Sequence, residues 1–224
     1  MAVEIALSAL GGVARYATGA LAVALWGPGF PWGTIIINIA GSFVIGGYGC
    51  VVALYLLAAL AGQTGTRQVL AGIGVPLAVA TACYTAYLFA QAKARDLWQS
   101  PLLAPHLAVQ AALAGTAAVL PVLAWLSPGR AVIAAEAALA VSGGLHVLLV
   151  AGDVTLPHVT AHAHLATREL TGGRYARFFW PGLAAVAVAV AAPWIGVIAA
   201  PFALAGLLAH EHAYVQAGQS VPLA

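Results

Sequence analysis

The chain has 224 residues, of which 63% are hydrophobic and 6% are charged, and its mean hydropathy is +0.99. Such a composition cannot cover a core with a water-soluble surface, so it excludes a soluble globular protein and indicates a polytopic membrane protein. The formal net charge of +2 is too small to indicate a nucleic-acid partner. The partner that the composition itself predicts is the lipid membrane.

The apolar segments predict an all-α integral membrane bundle of about seven transmembrane helices, with six to eight compatible with the sequence. A hydrocarbon core about 30 Å thick needs about 20 apolar residues per helix. Charged residues and Pro or Gly positions divide the chain into apolar segments at residues 3–26, 34–61, 69–91, 106–126, 131–151, 178–193 and 197–214. The last two are separated only by Pro193 to Gly196, which is typical of a tight helical hairpin.

Basic residues in the connections predict the orientation. With the spans above, one side of the membrane receives Lys93, Arg95, Arg168, Arg174 and Arg177, and the other receives Arg67 and Arg130. Because cytoplasmic loops carry the excess of Lys and Arg, the connections after the third and fifth helices and the C-terminus are predicted to be cytoplasmic.

Glu136 and His146, inside the fifth predicted helix, and Asp153, just after it, are candidates for a proton path, since burial of a charge in a membrane costs about 2.5–3.5 kcal/mol. Glu136 either belongs to such a path or pairs with Arg130 near the start of its helix. His146 and Asp153 are seven residues apart and therefore share a helix face. An imidazole beside a carboxylate can relay protons, and the two groups can equally satisfy each other near the membrane surface.

The histidine-rich segments do not by themselves indicate a metal site. His158 and His162 have the spacing of one helix face, but the third histidine of that segment does not, and no cysteine lies near them. His210 and His212 point about 200° apart on a helix. A bis-histidine haem would have to pair His146 with one of these two. We expect no haem and no metal in this chain.

The N-terminal motifs GGVARY, from Gly11, and FPWGTIIINIAGSFVIG, from Phe30, resemble the first two helices of the CrcB/Fluc fluoride channels. The resemblance covers about 40 residues, within a segment that we place at residues 1–49. In that family the asparagine of the second helix lines the anion path, and it corresponds to Asn38. An amide N–H can replace part of the hydration of an anion without a fixed charge. The resemblance makes Asn38, Thr34 and Ser42 ion-path candidates.

Residues 50–224 resemble another family, the NrfD/PsrC-type membrane subunits of polysulfide reductase and related quinone-linked oxidoreductases. Three segments carry this resemblance: AQAKARDLWQSPLL from Ala90, LPHVTAHAHLATRELTGGRYARFFWPG from Leu156, and LLAHEHAYVQAGQSVPL from Leu207. It implies a haem-free subunit that binds quinone or menaquinone. It also implies an iron–sulfur partner subunit and a molybdopterin-type catalytic subunit in a prokaryotic cytoplasmic (inner) membrane. Glu136, His146 and Asp153 then become candidates for a quinone-linked proton path.

The RDLW element places Arg95, Asp96 and Trp98 just outside the third predicted helix. Trp and Arg at this level are ordinary interfacial anchors. The NrfD/PsrC-type resemblance instead implies a structured loop that packs under the bundle or touches the partner subunit. Both interpretations stay open.

These observations lead to one principal function and one alternative. The principal prediction is a quinone-interacting membrane anchor subunit, incomplete in its N-terminal half, with no catalytic residues and no catalysis of its own. The alternative is a fluoride (anion) channel or its remnant, as residues 1–49 suggest. A fused reading frame without intact activity is a third interpretation.

Overall fold

The computed structural model describes residues 32–92, 94–126, 129–158 and 160–222, with the side chains of residues 32–38 excepted. Within these ranges the chain forms helices and no strands, which confirms the predicted all-α fold. The predicted first helix, residues 3–26, lies outside the described residues. The chain divides into two compact units, Met1–Gln91 and Ala92–Ala224. The boundary between the two units lies about 40 residues after the predicted boundary between residues 1–49 and 50–224. That predicted boundary was defined by resemblance to two families, and it stays a prediction.

The described part of the first unit is a pair of helices, α1 (Trp32–Leu60) and α2 (Thr64–Ala90), that pack against each other. Gly62 in their short connection has φ +68°, a conformation that favours glycine. A Cβ atom at Gly41 would overlap the ring of Tyr84, so this glycine of the GSF motif allows the two helices to approach closely. Helix α1 continues through the glycine-rich GGYG stretch at Gly46.

The second unit begins with a 3₁₀ turn, Asp96–Gln99, and two long helices, α3 (Leu103–Leu126) and α4 (Arg130–Thr155). Its other helices are α5 (Ala161–Thr171), α6 (Ala176–Ala187), the single turn α7 (Ala192–Ile195) and α8 (Ala199–Ser220). Two further 3₁₀ turns, Val188–Ala191 and Gly196–Ile198, flank α7. Helices α3 and α4 pack against each other, and α8 packs against both α3 and α6.

The apolar run Ala176–Ser220 is 45 residues long. A straight helix of that length would measure about 67 Å, more than twice the thickness of the hydrocarbon core. The run instead folds back near Gly196, which has φ +62°, and α6 packs along α8. The predicted helical hairpin is therefore present in the second unit.

Five apolar stretches in the described ranges are long enough to span a membrane, and the last of them is the folded run Ala176–Ser220. If its two legs are counted separately, the described residues provide six of the predicted crossings. The chain is therefore a multi-pass helical membrane protein. The seventh predicted crossing is the segment at residues 3–26.

Small residues form the tightest contacts of the second unit. A Cβ atom at Gly206 would lie 2.7 Å from the carbonyl oxygen of Gly182 and 2.7 Å from the backbone nitrogen of Val186. At Gly182 it would lie 3.0 Å from the backbone nitrogen of His210. These glycines bring the backbones of α6 and α8 together, as small residues do in membrane bundles. This close approach fixes the position of His210 relative to α6.

The connection before α3 packs against the end of α8. The Arg95 guanidinium donates hydrogen bonds to the carbonyl oxygens of Gly218, Gln219 and Val221, at 3.2, 2.9 and 2.8 Å. These carbonyls belong to the last turn of α8 and the residue after it, where a cation also complements the helix dipole. The Tyr214 hydroxyl donates to the carbonyl oxygen of Leu97 at 3.0 Å. The connection is thus a structured loop held to α8.

Candidate functional site

Three histidines from three helices meet in the interior of the second unit. They are His106 of α3, His146 of α4 and His210 of α8, with exposed fractions of 2%, 0% and 2%. One ring nitrogen from each lies within 4.8 Å of those of the other two. We call His106, His146 and His210 the histidine cluster.

The histidine cluster is held by one internal hydrogen bond and by ring packing. His106 Nε2 and His146 Nδ1 are 3.0 Å apart, so one of them donates to the other. The ring of His210 lies 4.8 Å from that of His146, between centroids, and 5.4 Å from that of His106. His146 Nε2 and His210 Nδ1 are buried and have no hydrogen-bond partner among the described residues. A buried polar atom without a partner costs about 1–3 kcal/mol, so the cluster is incompletely satisfied.

A carboxylate adjoins the cluster on the side of His106. Asp153 Oδ2 is 3.7 Å from His106 Nδ1, and its other oxygen, Oδ1, accepts a hydrogen bond of 2.6 Å from the Ser100 hydroxyl. This contact fixes the orientation of Asp153 and leaves Oδ2 facing the imidazole. A carboxylate in this position favours the tautomer of His106 that carries its proton on Nδ1.

A second acidic group lies on α8 next to the cluster. Glu211 is partly buried and lies near Gln110 and His106. Gln110 is one helical turn from His106 on α3 and is itself buried. The cluster is therefore flanked by two carboxylates, those of Asp153 and Glu211.

A small cavity of about 10 Å³ adjoins the histidine cluster. It is lined by His106, His210, Asp153 and Tyr214 together with apolar side chains that include Phe179. A volume of about 10–15 Å³ is the minimum that holds one water molecule. The cavity thus offers room for one small ligand beside two of the histidines.

The structure brings together some of the predicted proton-path residues. His146 and Asp153 do share one face of α4, and His106 lies between them as the connecting group. Glu136 lies apart from these residues, beside the hairpin turn. A Cβ atom added to Gly196 would lie 3.5 Å from the Glu136 carboxylate oxygen Oε1. The pairing of His146 with Asp153 through a third residue was not predicted, because His106 is 40 residues from His146 in sequence.

The other histidines do not join the cluster. His158 precedes α5, which begins at Ala161, so His158 and His162 do not share one helix face as the spacing suggested. The His158 ring nitrogen Nε2 instead pairs with the Thr167 hydroxyl at 2.8 Å. His212 packs its ring against Phe178, with 4.9 Å between centroids.

The predicted loop residues lie in the structured connection before α3. Arg95 binds the end of α8, and Trp98 is buried, with an exposed fraction of 8%, against Gly218. Asp96 is the first residue of the 3₁₀ turn and is partly exposed. These positions are those of a loop packed against the bundle, and contact with a partner subunit stays a prediction.

The predicted ion-path residues lie on α1. The side chains of Thr34 and Asn38 are outside the described part of the structure, and Ser42 is on an exposed position of the helix. Their role as ion-path residues therefore stays a prediction.

The fold and the histidine cluster define a class, a polytopic helical membrane protein with a buried polar centre in its second unit. Parts of the chain are similar to proteins named Fluoride-specific ion channel FluC. The relative from Shewanella amazonensis is 41% identical over 73 residues, which are 33% of this chain and 54% of that protein. The relative from Opitutus terrae is 40% identical over 65 residues, which are 29% of this chain and 48% of that protein. The relative from Rhizobium etli is 49% identical over 45 residues, which are 20% of this chain and 36% of that protein.

The chain thus spans about half or less of the length of these curated relatives. No family model and no solved structure matches it. The predicted resemblance to the CrcB/Fluc channels is confirmed. An alignment of 73 residues is also longer than the 1–49 segment, so the similarity extends beyond that segment. The NrfD/PsrC-type resemblance stays a prediction.

Proposed function

We propose that the chain conducts fluoride through a path to which its first unit contributes Asn38. The observation that carries this proposal is the 41% identity over 73 residues to the channel from Shewanella amazonensis. The GSF motif supports it, since Gly41 allows α1 to pack closely against Tyr84 of α2. An amide in an apolar helix is suited to a small anion, because it donates hydrogen bonds without holding the ion as a fixed charge would.

Fluoride efflux from liposomes tests this function. We expect liposomes that contain the protein to release fluoride to an external electrode, and Asn38→Ala to slow the release by about tenfold or more, since one anion ligand is lost. Gln63→Ala is the matched control, because it removes an exposed amide from the connection between α1 and α2. Folded, incorporated protein that releases no more fluoride than empty liposomes would contradict the proposal, as would equal losses in both variants.

A second candidate function is favoured by the buried polar chain in the second unit. Ser100, Asp153, His106 and His146 follow one another from the loop before α3 into the bundle, with separations of 2.6, 3.7 and 3.0 Å. We infer from this row of polar side chains and from the NrfD/PsrC-type resemblance that the second unit binds quinone or menaquinone. The protons of the quinone would be exchanged through Asp153. The resemblance also implies the iron–sulfur and molybdopterin-type partner subunits.

The basic residues of the second unit support a cytoplasmic position for this end of the bundle. Arg168, Arg174, Gln219 and Val221 line one open cavity, and Arg95 binds the same end of α8. Arg130 begins α4 at the opposite end of that helix from Asp153. By the positive-inside rule, the end with Asp153 and the C-terminus would face the cytoplasm of a prokaryotic cell.

Binding of a fluorescent quinol analogue tests the second function. We expect saturable quenching with the purified protein in detergent, and a loss of affinity of about tenfold in Asp153→Asn, because the proton acceptor is removed. Glu136→Gln is the control, since this carboxyl group lies near the hairpin turn and away from the polar side chains that lead from Ser100 to His146. If the folded wild-type protein shows no saturable quenching, the quinone function is wrong, and fluoride conduction is unaffected by that result.

A further inference from the structure

We propose that His106, His146 and His210 bind a divalent transition-metal ion of the zinc type. This inference differs from the expectation drawn from sequence, which found no three histidines on one helix face. It rests neither on fluoride conduction nor on quinone binding, because it is carried by the second unit alone and by the positions of its own side chains. Neutral imidazole is a ligand that suits zinc, copper, nickel and iron.

The separations between the ring nitrogens of the histidine cluster are close to those that such an ion requires. Metal–nitrogen bonds of about 2.0–2.1 Å in a tetrahedral arrangement separate ligand nitrogens by about 3.3 Å. His106 Nε2 and His146 Nδ1 are already 3.0 Å apart, and the outer limit for the three ligand atoms is 4.8 Å. Binding therefore requires the widest of these separations to shorten by up to about 1.5 Å. The three ligands also come from three different helices, so an ion would join α3, α4 and α8.

Hydrogen bonding alone does not account for the cluster. A proton relay would use His106, His146 and Asp153, but it gives no role to His210, which is 2% exposed. The internal hydrogen bond also leaves His210 Nδ1 buried with no partner in the described residues. Three imidazoles converging in an apolar bundle are costly without a common ligand, and a metal ion supplies one.

The surroundings supply an outer shell and a matching charge. Metal-ligating histidines commonly donate their second ring N–H to a carboxylate, and Asp153 is placed at 3.7 Å from His106 Nδ1 for that role. The hydrogen bond from Ser100 to Asp153 fixes the carboxylate in turn. The Asp153 carboxylate also provides a negative charge near a divalent ion bound by the three histidines. A charge balanced in this way is far less costly in a membrane interior than an isolated cation.

A small cavity adjoins two of the three histidines, His106 and His210. Zinc sites with three protein ligands keep a water molecule in the remaining position. The cavity of about 10 Å³ next to His106 and His210 has about the volume of one water molecule, and Asp153 and Tyr214 are among its other lining residues. A metal ion held by the three histidines would accordingly keep one exchangeable ligand.

Metal titration of the full-length protein in detergent tests the proposal. After treatment with a chelator, we expect the wild-type protein to bind a single equivalent of Zn²⁺, or of Co²⁺ with visible absorption typical of tetrahedral coordination. His210→Gln should weaken binding by more than the factor of about 10–100 that loss of an outer-shell partner costs. His146→Gln should do the same and lose the Co²⁺ absorption.

His212→Gln is the matched control, because it removes the same residue type two positions along α8, from an exposed side chain. It should leave both the affinity and the Co²⁺ spectrum unchanged. Size-exclusion profiles establish which variants are folded. If folded wild-type protein takes up neither Zn²⁺ nor Co²⁺, the three histidines form a hydrogen-bonded cluster only and the proposal is wrong. Equal losses in His212→Gln and His210→Gln would also overturn it.

Discussion

Gly206→Val is expected to lower the free energy of unfolding of the second unit by about 3 kcal/mol or more. Overpacking of a close contact costs about 1–3 kcal/mol, and the cost here lies at the upper end because the contacted atoms belong to the backbone and cannot move aside as side chains do. The new side chain would begin 2.7 Å from the Gly182 carbonyl oxygen and 2.7 Å from the Val186 nitrogen. Helices α6 and α8 would have to separate, and α8 carries His210. Thermal unfolding in detergent should therefore occur about 6–12 °C lower.

Gly115→Val provides the control for this change. Gly115 lies on an exposed face of α3, and a Cβ atom there would have no described atom within 4 Å. The control carries the same modest cost of a β-branched residue in a helix without the steric conflict. Equal melting temperatures for the two variants would show that α6 and α8 are not held together by the contact between Gly206 and Gly182.

The fold class could be predicted from sequence because it depends on composition. Apolar segments of about 20 residues bounded by charges or Pro and Gly are sufficient to identify membrane helices. The hairpin at residues 193–196 could also be predicted, because Gly196 is the natural position for its positive φ of +62°. The channel-type resemblance required only the local motif around Asn38 and Gly41, and the similarity to known fluoride channels confirms it.

The histidine cluster could not be predicted in the same way. Spacing along one helix relates His146 to Asp153, since both lie on α4. It does not relate His146 to His106 or His210, which come from other helices and meet it only after the bundle has packed. A usable signal was present in α3, where His106 and Gln110 are one turn apart in an otherwise apolar helix. Two polar residues on one face of a membrane helix indicate a buried polar partner.

Glu136 shows that residues of one predicted helix can lie far apart in the bundle. It lies on α4, as do His146 and Asp153, and its acidic side chain suggested a common path. Its carboxylate nevertheless lies beside Gly196, whereas Asp153 lies near the opposite end of the helix. Seventeen residues of helix separate the two positions by about 25 Å, which is too far for direct contact.

Asp153→Ala is expected to weaken Co²⁺ or Zn²⁺ binding by about 10–100-fold, because His106 would lose the carboxylate that orients its ring and favours its ligating tautomer. Asp153→Asn should restore much of this loss, since an amide oxygen, like a carboxylate oxygen, can accept a hydrogen bond from His106 Nδ1. The Co²⁺ absorption spectrum should shift in Asp153→Ala and stay close to that of the wild type in Asp153→Asn. Titration of both variants by visible absorption measures these differences.

Asp96→Ala is the control for the position of the carboxylate. Asp96 belongs to the connection before α3 and is partly exposed, whereas Asp153 is the carboxylate that contacts His106. A role of Asp153 in packing alone would lower the melting temperature of its two variants without changing the relative affinities of Asp153→Ala and Asp153→Asn. Rescue by asparagine therefore distinguishes a role in orienting the metal ligand His106 from a role in packing. Equal metal affinities for all three variants and the wild type would contradict the assignment of Asp153 as a positioning residue.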